Sequence, residues 1–206
     1  MQIKTFYALE FPQNCYAAIC NDGIFLVDPG EFTKELGDFI NENKNKIKYI
    51  LLTHMHFDHI RATAAVKKLC PDAKIVIHSL DANGLSDSTI SLAYLFGFEQ
   101  EKVLPDILCN DNDIVKLGSL EIKVMHTPGH TAGGVCYIVN DIIFCGDTIF
   151  ESSVGRTDFP GGNWQVLNES LKKLKTLQGD YTLYPGHGNS TTLNNERLYN
   201  PYMRNL

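Results

Sequence analysis

No stretch of this chain is apolar for long enough to cross a bilayer; apolar runs such as Tyr49–Leu52 have the length of a strand. The opening residues, MQIKTFYALEFPQN, hold no basic segment followed by an apolar one, so no secretion signal is expected. Basic charge is in short supply: 18 Lys and Arg stand against 24 Asp and Glu, a net charge of -6. A bulk electrostatic grip on nucleic acid is therefore not expected. The six cysteines, at positions 15, 20, 70, 109, 136 and 145, include no C-x-x-C pair. That argues for buried, reduced thiols in a cytoplasmic protein rather than a disulfide framework. No low-complexity tract and no fixed-period repeat occurs. The expected partners are accordingly a small molecule, with no nucleic acid and no membrane, and the oligomeric state is left open.

What is present is ordinary for one globular domain. The 206 residues are 44% hydrophobic and 20% charged, enough for one substantial core spanning 1–206. The first third reads as β-rich: Ile3–Leu9, Cys15–Cys20 and Ile24–Val27 are short apolar runs, the last two joined by the turn Asn21-Asp22-Gly23. Phe32, Leu36, Phe39 and Ile40 recur at helical spacing, predicting a helix over 31–45 with that face buried. Ile47–Thr53 reads as a strand buried on both sides. A helix over His59–Leu69 stops before Pro71. Lys74–His78 is a further strand, and 81–100 reads as irregular helix. Strands return at Asp113–Leu117, Leu120–His126, Gly134–Val139 and Asp141–Cys145. An amphipathic helix is predicted over 163–177, capped by Asn163, with Trp164, Leu167, Leu171 and Leu174 inward. Tyr181–Tyr184 is the last strand. Two sheets facing each other, with helices on the outer faces, would bury these patterns.

The strongest chemical signal follows the strand at Ile47: Thr53-His54-Met55-His56-Phe57-Asp58-His59. On an extended segment His54 and His56 point to one side, because side chains alternate with period two. The chain must then turn and present Asp58 and His59. Two nitrogens can serve one cation while an oxygen and a nitrogen serve a second, and imidazole with carboxylate suits Zn²⁺, iron or manganese. Three more ligand-type residues stand just after apolar strands: His130 in His126-Thr127-Pro128-Gly129-His130, Asp147 in Cys145-Gly146-Asp147, and His187 in Pro185-Gly186-His187-Gly188. Loops at strand ends are where a rigid scaffold presents side chains. His78 and His126 read as structural, and Cys145 as a small buried thiol rather than a ligand.

The series His54, His56, Asp58, His59, His130, Asp147 and His187 resembles the metallo-β-lactamase superfamily in order and residue type, and the likeness extends to Val27-Asp28-Pro29-Gly30. The resemblance implies an α+β fold: an αβ/βα sandwich of two facing mixed β-sheets with helices outside and two metals at one edge. It assigns His54, His56 and His130 to one cation and Asp58, His59 and His187 to the other, with Asp147 bridging. Within the superfamily, B1 β-lactamases carry Cys at the bridging position, where this chain has Asp147, and flavodiiron proteins typically carry Glu in place of the second motif His, where this chain has His56. The stretch Gly146-Asp147-Thr148-Ile149-Phe150 and the later Gly155-Arg156-Thr157-Asp158-Phe159-Pro160-Gly161-Gly162 look like short bacterial glyoxalase II-like (hydroxyacylglutathione hydrolase) proteins.

That resemblance implies a binuclear hydrolase with two Zn²⁺, iron or manganese being possible. A metal-activated hydroxide would attack the thioester of S-lactoylglutathione or a related acyl-thiol, and Asp58 would orient the nucleophilic water as the catalytic residue. Arg156 and Asp158 are the substrate-binding candidates. Arg156 has the donor fork to hold a carboxylate, and the competing reading is a structural Arg156–Asp158 pair. A similar Gly-Arg-Thr-Asp-Phe occurs in persulfide dioxygenases, so the alternative is a mononuclear-iron enzyme using His54, His130 and Asp147 as a facial triad. A non-catalytic metal-binding protein is a further rival, disfavoured by the intact ligand set. Full-length glyoxalase II enzymes carry a C-terminal helical segment that helps grip glutathione. The short run from His187 to Leu206 predicts no such separate domain here, and hence inefficient hydrolysis of S-lactoylglutathione.

Overall fold

Alternation along the strands sets the layers, and the computed structural model describes residues 1–206. In chain order the elements are β1 (Gln2–Tyr7), β2 (Asn14–Cys20), β3 (Gly23–Val27), α1 (Lys34–Asn43), β4 (Ile47–Leu51), α2 (Phe57–Ile60), α3 (Thr63–Leu69) and β5 (Lys74–His78). A 3-10 turn at Ala82–Leu85 precedes β6 (Ile107–Cys109), β7 (Ile114–Leu117), β8 (Leu120–His126), β9 (Val135–Val139) and β10 (Ile142–Gly146). Then come β11 (Ile149–Phe150), β12 (Ser153–Val154), α4 (Trp164–Lys175), β13 (Thr182–Pro185), β14 (Thr191–Thr192) and α5 (Leu193–Tyr199).

The first sheet has the order β1-β2-β3-β4-β5-β6 and the second β14-β13-β10-β9-β8-β7. Both are mixed: β3 to β6 run parallel beside an antiparallel β1-β2-β3, and β10 runs parallel to β13 in an otherwise antiparallel sheet. Side chains of β2 and β3 show the logic. Tyr16, Ala18, Phe25 and Val27 point between the sheets, where they meet Val124, Tyr137 and Phe144. Their neighbours Cys15, Ala17, Ile24 and Leu26 point outward onto Leu36, Ile40 and Val66 of α1 and α3. Cys136, Ile143 and Leu183 on the outer face of the second sheet pack on Leu167, Leu171 and Leu174 of α4. The result is an αβ/βα sandwich with three apolar layers, in which period-2 strands and period-3.6 helices each bury the face their spacing dictates.

Four expectations need correction. The helix expected over His59–Leu69 is two helices, because the Ala62 N–H leaves the helical ladder to donate to Pro29 O at 2.9 Å. The span 81–100 is turns after the single 3-10 turn. Asp87 Oδ1 accepts from the N–H groups of Thr89 and Ile90, and Leu92 and Gly97 take positive φ, so side chain-to-backbone bonds compete with helix. Phe32 precedes α1 and is 42% exposed. Trp164 opens α4 at 38% exposure and packs on Tyr202 rather than on the sheet. No helix is long and apolar enough to cross a membrane.

Candidate metal centre

The seven residues of the motif meet where β4, β8, β10 and β13 end. After β4 the chain stays extended, so the His54 and His56 rings lie on one side, their centroids 4.8 Å apart. His56 occupies the cap position of α2 without making a side-chain cap bond, which leaves its imidazole free for the site. Asp58 and His59 follow on the first turn of α2. His130 comes from the loop between β8 and β9, Asp147 directly from the end of β10, and His187 from the turn after β13. That last turn needs glycine at 186: a Cβ there would lie 2.2 Å from Asp147 Oδ1 and 2.4 Å from His59 Cε1.

Ligand-capable atoms of His54, His56 and His130 lie within 4.8 Å of one another, and so do those of Asp58, His59 and His187. Asp147 sits between the groups, 3.3 Å from His59 Nε2 and 3.5 Å from both His130 Nε2 and His187 Nε2. A third grouping, Asp28 with His54 and His59, also falls within that distance. There the carboxylate is already spent: Asp28 Oδ1 accepts from Thr53 N–H at 2.7 Å, and Oδ2 from the Thr53 hydroxyl at 2.6 Å and His59 Nδ1 at 2.9 Å. Asp28 is thus a support, and these bonds hold it at φ 50, an unfavourable backbone region for a side-chain-bearing residue.

Bonds behind the rings fix which nitrogen faces the site. His59 Nδ1 donates to Asp28, His130 Nδ1 to Arg156 O at 2.7 Å, and His187 Nδ1 to Pro12 O. The Thr53 hydroxyl gives its proton to Asp28, so it accepts from His54 Nδ1 at 3.1 Å. In each case Nε2 is turned toward the centre, where His130 Nε2 meets His56 Nδ1 at 2.8 Å and His187 Nε2 meets Asp58 Oδ2 at 3.3 Å. A ring fixed from behind in this way is the arrangement seen for metal-bound imidazoles. Buried His54 Nε2, His56 Nε2 and Asp147 Oδ1 make no hydrogen bond at all. Buried polar atoms without partners are costly, and their presence in residues that converge here, with His56 Nδ1 2.8 Å from His130 Nε2, fits a cation. Protonation agrees. Burial, reinforced by the neighbouring imidazoles, pushes His54 well down and His56 to about 3, keeping both neutral. Burial alone would raise Asp147, but His59, His187 and His130 hold its carboxyl well below the usual range.

Arg156 reaches the cavity wall, but Asp158 does not line the cavity. The Arg156 fork is engaged by Asp158, Nε to Oδ1 at 2.7 Å and Nη2 to Oδ2 at 2.6 Å, and its face covers Phe159 at 3.8 Å. His78 and His126 lie outside the ligand groups and stack on each other at 4.1 Å, as a structural reading requires. Cys145 is fully buried on the outer face of β10 and donates to Ile149 O at 3.3 Å. Cys145→Ala is therefore expected to keep its metal content by elemental analysis; a loss of metal in a folded variant would contradict this placement.

Sequence reasoning missed Asp81. This carboxylate is fully buried and accepts from Met55 N–H at 3.1 Å, the Thr131 hydroxyl at 2.7 Å and Gly133 N–H at 2.6 Å. It clamps the loop bearing His54 and His56 to the loop bearing His130. Nothing in the local pattern singles it out, because its partners are two backbone amides and a distant hydroxyl. Asp81→Ala strands three buried donors. It is expected to cost roughly 3 kcal/mol of stability in denaturant titration and to weaken metal binding about 10–100-fold in chelator competition. Unchanged affinity in the folded fraction would show that the clamp serves folding alone.

A model of the metallo-beta-lactamase superfamily matches residues 8–187. The hydroxyacylglutathione hydrolase GloC of Haemophilus influenzae is 33% identical over 210 residues, with 98% of each chain covered. The crystal structure of the B3 metallo-beta-lactamase BLEG-1 superposes with a TM-score of 0.91 at 29% identity, covering 98% of this chain and 99% of its own. That of TTHA1623 in a di-iron-bound form gives a TM-score of 0.85 at 30% identity, covering 97% of this chain and 99% of its own.

Proposed function

The chain belongs to the metallo-beta-lactamase superfamily, and from that premise we propose that it is a binuclear metal-dependent hydrolase that cleaves thioesters, S-lactoylglutathione or a related acyl-thiol. The observation that carries this reading is the convergence of two three-residue groups on one carboxylate whose buried Oδ1 makes no hydrogen bond. His54, His56 and His130 would hold one cation, Asp58, His59 and His187 the second, and Asp147 both. A nitrogen–oxygen donor set of this kind suits Zn²⁺ and accepts iron or manganese; TTHA1623, with a similar fold, is in a di-iron-bound form. Cations held there supply Lewis acidity, lowering the pKa of a coordinated water to about 7 and polarising a carbonyl.

The chain's own residues would do the rest. Burial would raise the Asp58 carboxyl, yet the charge of His59 and the hydrogen bond from His187 keep it below the usual range, so it stays ionised. Its Oδ2 lies 3.3 Å from His187 Nε2 at the cavity floor, placed to orient a water and accept its proton. Asp28 and Pro12 O fix the orientations of His59 and His187. The hydroxyacylglutathione hydrolase name of the Haemophilus influenzae relative supports a thioester substrate.

The test is metal analysis of protein purified without added metal, paired with a substrate panel. Two cations per chain and turnover of thioesters are expected. One iron per chain with oxygen consumption on glutathione persulfide would replace the reading with a dioxygenase. Turnover of a β-lactam with no thioester turnover would replace it with a lactamase.

A further inference from the structure

Above the cluster lies a cavity of about 400 Å³. The histidines and carboxylates form its floor, and its sides are apolar: Phe11, Phe57, Leu92, Phe96, Phe150 and Phe159 face it. The rings make one continuous wall. Phe57 is buried and stacks on Phe96, centroids 5.0 Å apart at 26°. Phe96 meets Phe159 edge-on at 6.2 Å, and Phe159 meets the His56 ring at 5.8 Å. The wall thus runs from the turns after the 3-10 element to the metal-facing histidines. Phe96 nevertheless remains 40% exposed, which a ring serving only the core would not need to be.

Charge gives the second observation. The one cationic side chain lining the cavity is Arg156, and Asp158 already occupies its fork while Phe159 covers its face. Beyond the metal-binding floor, where the thioester carbonyl must sit, the carboxylates or phosphates of a charged thiol carrier therefore find no unpaired cationic side chain on the walls, and burying them there would be costly. The uncharged part of an acyl-thiol is its acyl group.

Resting on the thioesterase reading of this same site, we propose that the acyl group delivered to water is bulky and apolar, a medium-chain aliphatic or arylacetyl group seated against the Phe57–Phe96–Phe159 wall, with the thiol carrier at the solvent mouth. In the reaction a C–O bond forms from one water and the C–S bond breaks with its electron pair on sulfur. The products are a carboxylate, a thiol and one released proton. The cavity holds a group well beyond the size of a lactoyl unit, and ring surface removed from water on binding supplies the selectivity.

The experiment uses the metal-loaded full chain with lactoyl, acetyl, hexanoyl and phenylacetyl thioesters, each on glutathione and on N-acetylcysteamine. Hexanoyl and phenylacetyl substrates are expected to exceed lactoyl and acetyl by at least about tenfold in kcat/KM, with the ranking unchanged when the carrier is exchanged. Phe96→Ala is expected to shrink that ratio at least about fivefold, through KM of the bulky substrates rather than kcat. Phe96→Leu, which keeps an apolar side chain, is expected to retain most of it and serves if the alanine variant fails to fold. A preference for lactoyl or acetyl, a ranking set by the carrier, or a ratio untouched by Phe96→Ala overturns the acyl assignment while leaving the thioesterase reading in place. No turnover of any thioester with cations bound overturns both.

Discussion

Asp147→Ala is expected to lose at least about 100-fold in thioester turnover and to retain at most one cation per chain. The reason is electrostatic. Two divalent cations a few ångströms apart repel by more than 10 kcal/mol on the order of the Coulomb energy at an effective dielectric of ~20. The neutral imidazoles of His54 and His56 cannot offset that with charge. Asp147 is the carboxylate within reach of both groups, 3.3 Å from His59 Nε2 and 3.5 Å from His130 Nε2. His59, His187 and His130 hold it ionised, and its Oδ1 makes no hydrogen bond within the protein. Asp147→Asn keeps the shape and removes the charge, so it separates the two contributions: the asparagine variant is expected to behave like the alanine one. Mass spectrometry of the native protein and chelator titration read the stoichiometry. Two bound cations with near-normal turnover would show that Asp147 does not join the groups.

The contrast between Asp147 and Asp81 explains how much of this site could be read in advance. His54, His56, Asp58 and His59 follow the apolar strand β4 within a few residues, and His130, Asp147 and His187 each follow a glycine in a turn after a later strand, so an apolar run followed by a ligand-type residue marks the set. The sheets bring those ends together, and the structure places all seven at one point. Asp81 and Asp28 act on backbone amides and hydroxyls far along the chain, and no spacing rule encodes such partners. The strands were legible for the same physical reason as the motif: alternation in β2 and β3 matches the two apolar layers they face. The segment 81–100 was misread because apolar spacing says nothing about Asp87 capping a turn or Leu92 at positive φ. That segment supplies Leu92 and Phe96 to the cavity, so the substrate wall was the least legible part of the site. Phe57 could have signalled it, as an aromatic residue inside the ligand motif that alternation alone does not explain.

Asp58→Asn is expected to lower kcat/KM at least about 100-fold while lowering the thermal midpoint of the metal-stripped protein only slightly. Asp58 is not a core residue: its side chain is 16% exposed and lines the cavity floor. In the folded chain it faces a like charge, since Asp147 is among the groups that raise its pKa, and burial penalises its ionised form as well. Both effects oppose folding, but His59 and His187 outweigh them and leave the carboxyl below the usual range. The ionised group therefore adds modestly to the stability of the metal-free fold at neutral pH and loses that contribution as pH falls through its depressed pKa. The loaded protein should respond more strongly. Cation binding stabilises the native state by RT ln(1 + [L]/Kd), so a weaker second site forfeits part of that gain. The signature is therefore a split: turnover and the metal-dependent rise in melting temperature both fall strongly, while the midpoint after chelation falls only slightly. Calorimetry with and without chelator, run beside steady-state kinetics, reads both halves. A midpoint that falls by more than about 5 °C after chelation, with turnover preserved in the folded fraction, would make Asp58 a structural residue and return the water-orienting role to another side chain at the cavity floor.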